Sequence, residues 1–587
     1  MEVDGVTRLI AQILLVAAAV GACETRPPPA DLVLTHGTIV TEDSTGPSAT
    51  ALAVDADSII AVGSDAEIGR YVGDSTVVVD LNGAFAAPGF IESHGHFMGL
   101  GESKMELDLM HARSWDEIVA MVADAAKRAR PGEWILGRGW HQEKWDHPPQ
   151  PNVEGLPLGE KLSAASPDNP VMLTHASGHA IFVNRKALEQ AGIDRNTSDP
   201  PGGEIVRDGR GRAIGMLRDR AMGLVRRVLA ADRANRSPAE VEAVMRRQVE
   251  MASQDALSKG ITTFQDQGES FRTIAFFKKL ADEGAIPLRL YAMVNGEPID
   301  SLAAHLAEYR TVGSGKDHLT VRAIGEIAMD GALGTHSAWF LKPYDDLPNS
   351  TGLNVTSPED VKGIAELAIE NDYQLAVHAI GDRANREALD IFQEVFQEHP
   401  DAHDLRWRIE HAQHLDPADI PRFVELGVIA SMQSVHACSD GPYVVKRLGE
   451  ERARTGGYVW RSLLKTGAVI ANGTDVPVED EDPVPNFYCA VTRRLPDGSE
   501  FFPEQDMIRE EALRSYTMSG AYAMFQEERL GSLAPGKLAD ITVLSRDLMT
   551  VPEDSITGTK VFYTIVGGEI AYRGPDAARV GGTESGS

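Results

Sequence analysis

The chain has 587 residues, with 56 Lys and Arg against 87 Asp and Glu, for a formal net charge of −31. A surface this acidic repels phosphate backbones and argues against nucleic acid as a partner. Hydrophobic content of 43% and charged content of 24% are those of a globular enzyme, and the length calls for one large domain with a satellite or for several domains.

The first residues stand apart from that globule. Leu9 to Ala22 form an apolar run of signal-peptide length, too short for an ordinary transmembrane helix. The run closes in Val20-Gly21-Ala22-Cys23, the form of a bacterial lipobox. Residues 1–23 are therefore expected to be a lipoprotein signal peptide and 24–30 a proline-bearing tether. The expected address is the bacterial cell envelope, lipid-anchored or periplasmic, with the lipid anchor as the only membrane association. Glu2 and Asp4 beside Arg8 weaken the charged region, so a cytoplasmic protein with a mis-assigned start is the competing reading. Only Cys438 and Cys489 remain after Cys23. Export would permit a disulfide, but two buried free thiols are the expectation, since sequence gives no distance between them. There is no CxxC, so no thiolate zinc site is suggested.

Short strands with turns fill 31–87, and the same texture returns in 531–574. Two β-rich flanks around a long α/β centre predict one small β-sandwich built from both termini. The Gly- and Ser-rich tail 575–587 is expected to be frayed. Between the flanks, 88–530 alternates strands and helices. Eight buried-strand candidates begin at Phe90, Ile261, Arg289, Ala323, Gln374, Arg406, Val428 and Val469. The fold expected is α/β, a (β/α)8 TIM barrel. The segment from about 100 to 259 falls between the first two strands and is too long for a loop, so it is expected to be a subdomain inserted over the active face.

The chemistry lies at the strand ends, where this barrel carries its active sites. The first candidate ends in His94-Gly95-His96, and alternation along a strand puts both imidazoles on one face. The fifth ends in His378, the sixth in His411, and the eighth runs into Asp475. Each alone could be a core histidine or a helix cap. Together they read as a site for divalent metal, one or two Zn, with Mn, Fe or Co as alternatives.

These residues sit in motifs that resemble the amidohydrolase superfamily, in the branch of N-substituted formamide deformylases, over about 31–575. The motifs are Pro88 to His96, Asp330-Gly331-Ala332-Leu333-Gly334, His378-Ala379-Ile380-Gly381-Asp382, Ile409-Glu410-His411-Ala412-Gln413 and Gly473-Thr474-Asp475-Val476-Pro477. Gly531 to Asp540 resembles the family's return into the sandwich. The resemblance implies a buried metal pair, or one metal in some members, held by His94, His96, His378, His411 and Asp475. It also shows one departure. Where the family places a carbamylated Lys, five residues before the Gly of the Asp-Gly pair, this chain has Glu326. Glu326 is expected to bridge two ions with its two oxygens; a mononuclear site with Glu326 outside it is the alternative.

The expected function follows. Water activated by divalent metal attacks a small amide, N-formyl or N-acyl substrate and cleaves a C–N bond, with Asp475 carrying the proton. A deaminase or a hydrolase of cyclic amides or lactones on the same ligands is the alternative, and a non-catalytic surface binding lipoprotein is a third. The resemblance makes His179 and Trp140 candidate substrate contacts, with a structural role inside the subdomain as the alternative. Arg383 is a candidate contact to a substrate oxygen, with a salt bridge to a neighbouring acid as the first expectation, and His414 is expected at the surface or behind the ligands. Oligomeric state is not legible.

Overall fold

The computed structural model describes residues 26–142, 145–175, 180–200, 203–234, 236–334 and 336–579. The expected signal segment, Cys23 and His179 lie outside the described residues. The chain divides into two compact units, residues 1–90 with 525–587, and residues 91–524.

The first unit holds two sheets. One has the spatial order Ser58–Gly63, Ala51–Asp55, Leu32–Thr35, Val77–Asp80. The other runs Glu569–Arg573, Val561–Val566, Ile541–Leu544, Phe85–Pro88, Thr38–Val40, Ser48–Ala49. Leu34, Leu52 and Ile59 of the first share a core with Ile541, Val543 and Ile565 of the second. Alternation turns Val33 to the opposite face, where it packs with Ala51, Ala53 and Ile68. Two expectations need correction here. The described end of the tether is not free: Ala30 is buried, its N–H donates to the Tyr71 carbonyl at 2.8 Å, and the Arg26 guanidinium donates to the Arg70 carbonyl. The start of the tail is also pinned, since Ala577 is buried and its carbonyl accepts from the Tyr563 hydroxyl.

The second unit is built on eight parallel strands: β1 (Phe90–Gly95), β2 (Ile261–Glu269), β3 (Arg289–Val294), β4 (Leu319–Ala328), β5 (Gln374–Ala379), β6 (Arg408–His411), β7 (Ile429–Met432) and β8 (Ile470–Asn472). They neighbour one another in sequence order, as a barrel requires. Arg289–Val294 is buried at all six positions, the signature of a parallel strand covered on both faces. The barrel is nearly closed at its carboxyl end. The Asp475 N–H donates to the His94 carbonyl at 2.7 Å, and the His96 N–H donates to the Val476 carbonyl at 2.8 Å. Gly473 permits this approach, because a Cβ there would stand 2.4 Å from the Glu92 carboxylate and the His94 nitrogen.

Between β1 and β2 lie helix α1 (Phe97–Met105), a six-stranded mixed sheet spanning Leu107–Asp219, α2 (Met222–Ala234) and α3 (Pro238–Ser258). Ser237 caps α3 in a reciprocal pair with Glu240, and Pro238 opens it. The inserted sheet buries both faces. Ile135, Trp140, Leu173 and Phe182 pack on one side, and Met172, Ile181, Val225 and Leu229 on the other.

Further along, α4 (Ser434–Leu448) follows β7 and α5 (Pro483–Thr492) follows β8. Cys438 on α4 and Cys489 on α5 form a disulfide, with Cα atoms 6.2 Å apart. The expectation of two free thiols was therefore wrong. The barrel brings together helices that are 51 residues apart in sequence, a proximity no spacing argument reveals.

Candidate metal centre

Six side chains converge where the strands end. Glu326, near the end of β4, occupies the middle. Its Oε1 lies 3.8 Å from Nε2 of both His94 and His96. Its Oε2 lies 3.3 Å from His378 Nδ1 and 3.4 Å from His411 Nε2. Each carboxylate oxygen thus faces its own pair of imidazoles. Asp475 completes the cluster, with Oδ1 3.1 Å from His96 Nε2 and 3.5 Å from His94 Nε2. The structure brings together every residue expected to be a ligand.

The arrangement fits divalent metal. Three overlapping groups, His94/His411/Asp475, His94/His96/Glu326 and Glu326/His378/His411, each present ligand atoms within 4.8 Å of one another. His94 Nε2 and Glu326 Oε2 are buried and without a hydrogen bond. Polar atoms left so are costly unless a cation takes them up. Four imidazoles and two carboxylates are donors suited to Zn, Mn, Fe or Co.

A supporting layer sets the tautomers. His94 Nδ1 lies 2.6 Å from Glu410 Oε2, and the Arg408 guanidinium holds Glu410 at 2.6 Å. Glu410 accepts the Nδ1 proton, which leaves the Nε2 lone pair directed at the cluster. His411 Nδ1 lies 2.8 Å from Gln433 Oε1, whose amide NH2 is committed to the Ser431 carbonyl, so His411 Nε2 is freed in the same way. Asp330 accepts N–H bonds from Trp339, Ile380 and Gly381 and fixes the turn after His378. Glu92 accepts the N–H groups of His94 and Thr474, tying the two ends of the barrel seam.

Charge is organised around these contacts. Burial pushes the Glu326 carboxyl up, but His94 and His378 override it and hold the group well below the usual carboxylate range. Asp475 is likewise buried, and the neighbouring His94 and His96 hold it low. Burial raises Glu92 to about 8 and Asp330 to about 6. The cluster opens on one side: the His96 side chain is 35% exposed, whereas His94 is fully buried.

Glu410, Arg408 and Gln433 were missed as site residues. Strict alternation would set Glu410 and His411 on opposite faces. His411 instead adopts φ 70°, and this left-handed turn swings its ring inward beside a residue already facing the barrel interior. Asp475, at φ 62°, is presented by the same device. The signal available in sequence was the Arg408–Glu410 spacing, i and i+2 on a buried strand.

The three expected substrate contacts fare differently. Trp140 is fully buried in the insertion's core, and its indole N–H donates to the Leu173 carbonyl at 2.9 Å. It is a packing residue with no surface left for a ligand, which corrects that expectation. Arg383 lies 4.3 Å over the Trp339 ring and 3.5 Å from Glu387, an ion-paired and stacked position. His179 is outside the described residues. His414 is neither at the surface nor at the ligands: it is buried against Phe340 and Tyr458.

The segment after Asp475 is tied down by a partly buried charge cluster centred on Glu481. Lys259 lies 2.7 Å from Asp480 and 3.0 Å from Glu481, and Lys104 lies 2.7 Å from Asp255. Burial and the hydrogen bond to Asp255 push Glu481 up to about 8. Asp255 stays near 2, because Glu481 and Lys259 outweigh its own burial. The pair therefore shares one proton, carried by Glu481. A carboxyl raised on folding contributes stability below its ordinary pKa and loses it as pH climbs through the raised value. Melting temperature is expected to fall between about pH 5 and 9, and Glu481→Gln is expected to flatten that limb. Parallel melting curves for the two proteins, measured by calorimetry across that range, would remove the assignment.

Comparison with known proteins agrees with this geometry. A family model described as Amidohydrolase family matches residues 77–572. Protein LONG AFTER FAR-RED 3 of Arabidopsis thaliana is 36% identical over 556 residues, covering 92% of each chain. N-substituted formamide deformylase of Arthrobacter pascens is 25% identical over 547 residues, covering 92% of this chain and 98% of its own. The crystal structure of an uncharacterized metal-dependent hydrolase from Pyrococcus horikoshii OT3 superposes with a TM-score of 0.71 at 27% identity, covering 89% of this chain and 99% of that one.

Proposed function

The chain belongs to the amidohydrolase family, and from that premise we propose that it is a metal-dependent hydrolase that cleaves a C–N bond of a small amide-type molecule. One observation carries the reading: Glu326 turns each of its oxygens to a separate histidine pair, with Asp475 alongside. The similarity to an N-substituted formamide deformylase supports the choice of bond.

His94, His96, Glu326, His378, His411 and Asp475 would hold the metal. When bound, divalent metal supplies acidification of water and polarisation of the substrate carbonyl. The protein's own groups do the rest. Asp475, held ionised by its histidine neighbours, accepts a proton from the attacking water and returns it to the leaving nitrogen. A C–O bond forms, the C–N bond breaks, and the amine departs neutral. Glu410 and Gln433 hold His94 and His411 in one tautomer throughout. The exposed flank at His96 is where the substrate enters.

Dialysis against a strong chelator is expected to lower kcat/KM on an N-acyl and N-formyl amide panel by about a thousandfold. Readdition of Zn, Mn or Co is expected to restore it. Turnover that survives metal removal, or metal-replete protein inactive across the panel but active on aminopurines or lactones, would overturn the C–N amide reading.

A further inference from the structure

A chamber of about 430 Å³ opens beside the metal centre. Its floor includes Gly99 and Pro477, three residues past His96 and two past Asp475. A Cβ on Gly99 would stand 3.4 Å from both the His96 Cβ and the Pro477 ring, so the chamber begins against the elements that carry two of the ligands. Its size suits a small organic ligand.

The walls come from three elements. The inserted sheet supplies Arg138 and Thr174, adjacent in register on neighbouring strands. Alternation turns Ile135 to the packed core and Leu136 and Arg138 to the cavity, and the register shift between Arg138 and Trp140, at Gly139 with φ 103°, returns Trp140 to the core. Helix α2 supplies Arg226 and Arg233, α1 supplies Glu102, and Glu106 follows directly after α1. The Gly137-Arg138-Gly139-Trp140 motif thus points its arginine, not its tryptophan, at open space.

The charge of this chamber runs against that of the chain. Three arginines face two carboxylates, whereas the protein carries −31. Arg233 is committed to Glu102 at 2.9 Å. The Arg138 side chain is half-buried and makes no hydrogen bond or ion pair among the described residues, and the Arg226 side chain makes none either. Burial and the neighbouring Glu102 push Glu106 up to about 7, which weakens it further as a competitor for Arg138. The half-buried Arg138 guanidinium is left open to receive an anion, and the exposed Arg226 lines the same chamber. The net excess of one positive charge matches a monoanion better than a dianionic phosphate.

We infer that the substrate carries a carboxylate, which Arg138 and Arg226 receive in this chamber while its amide lies at the metal centre. The inference rests on the hydrolytic reading above.

The test uses metal-replete, full-length protein and N-acyl amino acids paired with their uncharged carboxamide twins. The carboxylate member is expected to have a kcat/KM at least about tenfold higher, expressed in KM. Arg138→Met is expected to reduce that ratio about tenfold, with Arg138→Lys recovering part of it. Arg226→Gln, on an exposed helix position, is expected to reduce it too and serves if Arg138→Met fails to fold. A second arm measures adipate, which cannot be hydrolysed, by calorimetry. Binding that weakens about tenfold in Arg138→Met or Arg226→Gln supports the subsite even if no amide is turned over, and in that case only the hydrolytic reading fails. Turnover with equal preference for both twins overturns the subsite and leaves the hydrolase standing. Adipate binding that is absent, or unchanged in both variants, also overturns it.

Discussion

Asp475→Asn is expected to lower kcat by about a thousandfold while leaving the fold and the melting temperature essentially unchanged. Asp475 is the acidic side chain at the β1–β8 seam, with its Oδ1 3.1 Å from His96 and its backbone N–H bonded to the His94 carbonyl. Asn keeps the shape, the backbone bond and one acceptor oxygen, but cannot take the proton of the attacking water. It is the informative substitution for a further reason. Asp475 sits at φ 62°, a left-handed conformation that Asn tolerates and most other residues do not, so Ala would confound chemistry with strain. Steady-state kinetics, metal analysis and a thermal melt on the same preparation check the expectation. A kcat within tenfold of the parent would remove Asp475 from the proton path.

Glu326→Gln is expected to lose one metal equivalent and most of the activity. In the parent, each Glu326 oxygen faces two imidazole nitrogens 3.3–3.8 Å away, a geometry in which a carboxylate can serve two cations at once. A carboxamide offers one oxygen and turns N–H donors toward the second histidine pair. Metal loading of the parent is expected to be independent of bicarbonate, because Glu brings both oxygens with it. In Glu326→Lys loading is expected to depend on bicarbonate, since a Lys amine must first add carbon dioxide to present two oxygens. Metal content by plasma emission, with and without bicarbonate, reads both variants. Glu326→Gln protein with an unchanged metal complement and normal turnover would show that the bridge is wrong and the site mononuclear.

Much of this site could be found from sequence because its chemistry lies where periodicity is strictest. His94 and His96 are two apart at the end of an apolar run, and a pleated strand can only put them on one face. His378 and Asp475 follow equally apolar segments, and the order of eight such segments implies the barrel that gathers them. Glu326 was legible as a departure from a motif, since its distance from Asp330-Gly331 is covalent information. What escaped was whatever depends on a local break in periodicity or on packing between distant segments. Glu410 was missed because His411 leaves the strand with a left-handed φ, and alternation does not survive such a residue. Trp140 was assigned to the pocket because the family repeats a similar motif in its insertion. The two faces of the inserted sheet reverse the roles, burying the indole and exposing Arg138. The Cys438–Cys489 bond needed two helices to be adjacent that are consecutive only around the barrel.

By itself, then, the sequence determined which residue types stand at the ends of the eight strands, because hydrophobic burial and the two-residue strand period are written directly in residue order. Only the tertiary structure decided which nitrogen each histidine offers, which oxygen of Glu326 meets which pair, and which wall of the adjoining chamber bears unpaired positive charge. Those depend on hydrogen bonds and cavity walls contributed by residues far apart in the chain, 316 positions in the case of His94 and Glu410. Contacts of that range arise from closure of the barrel and packing of the insertion, not from any local propensity.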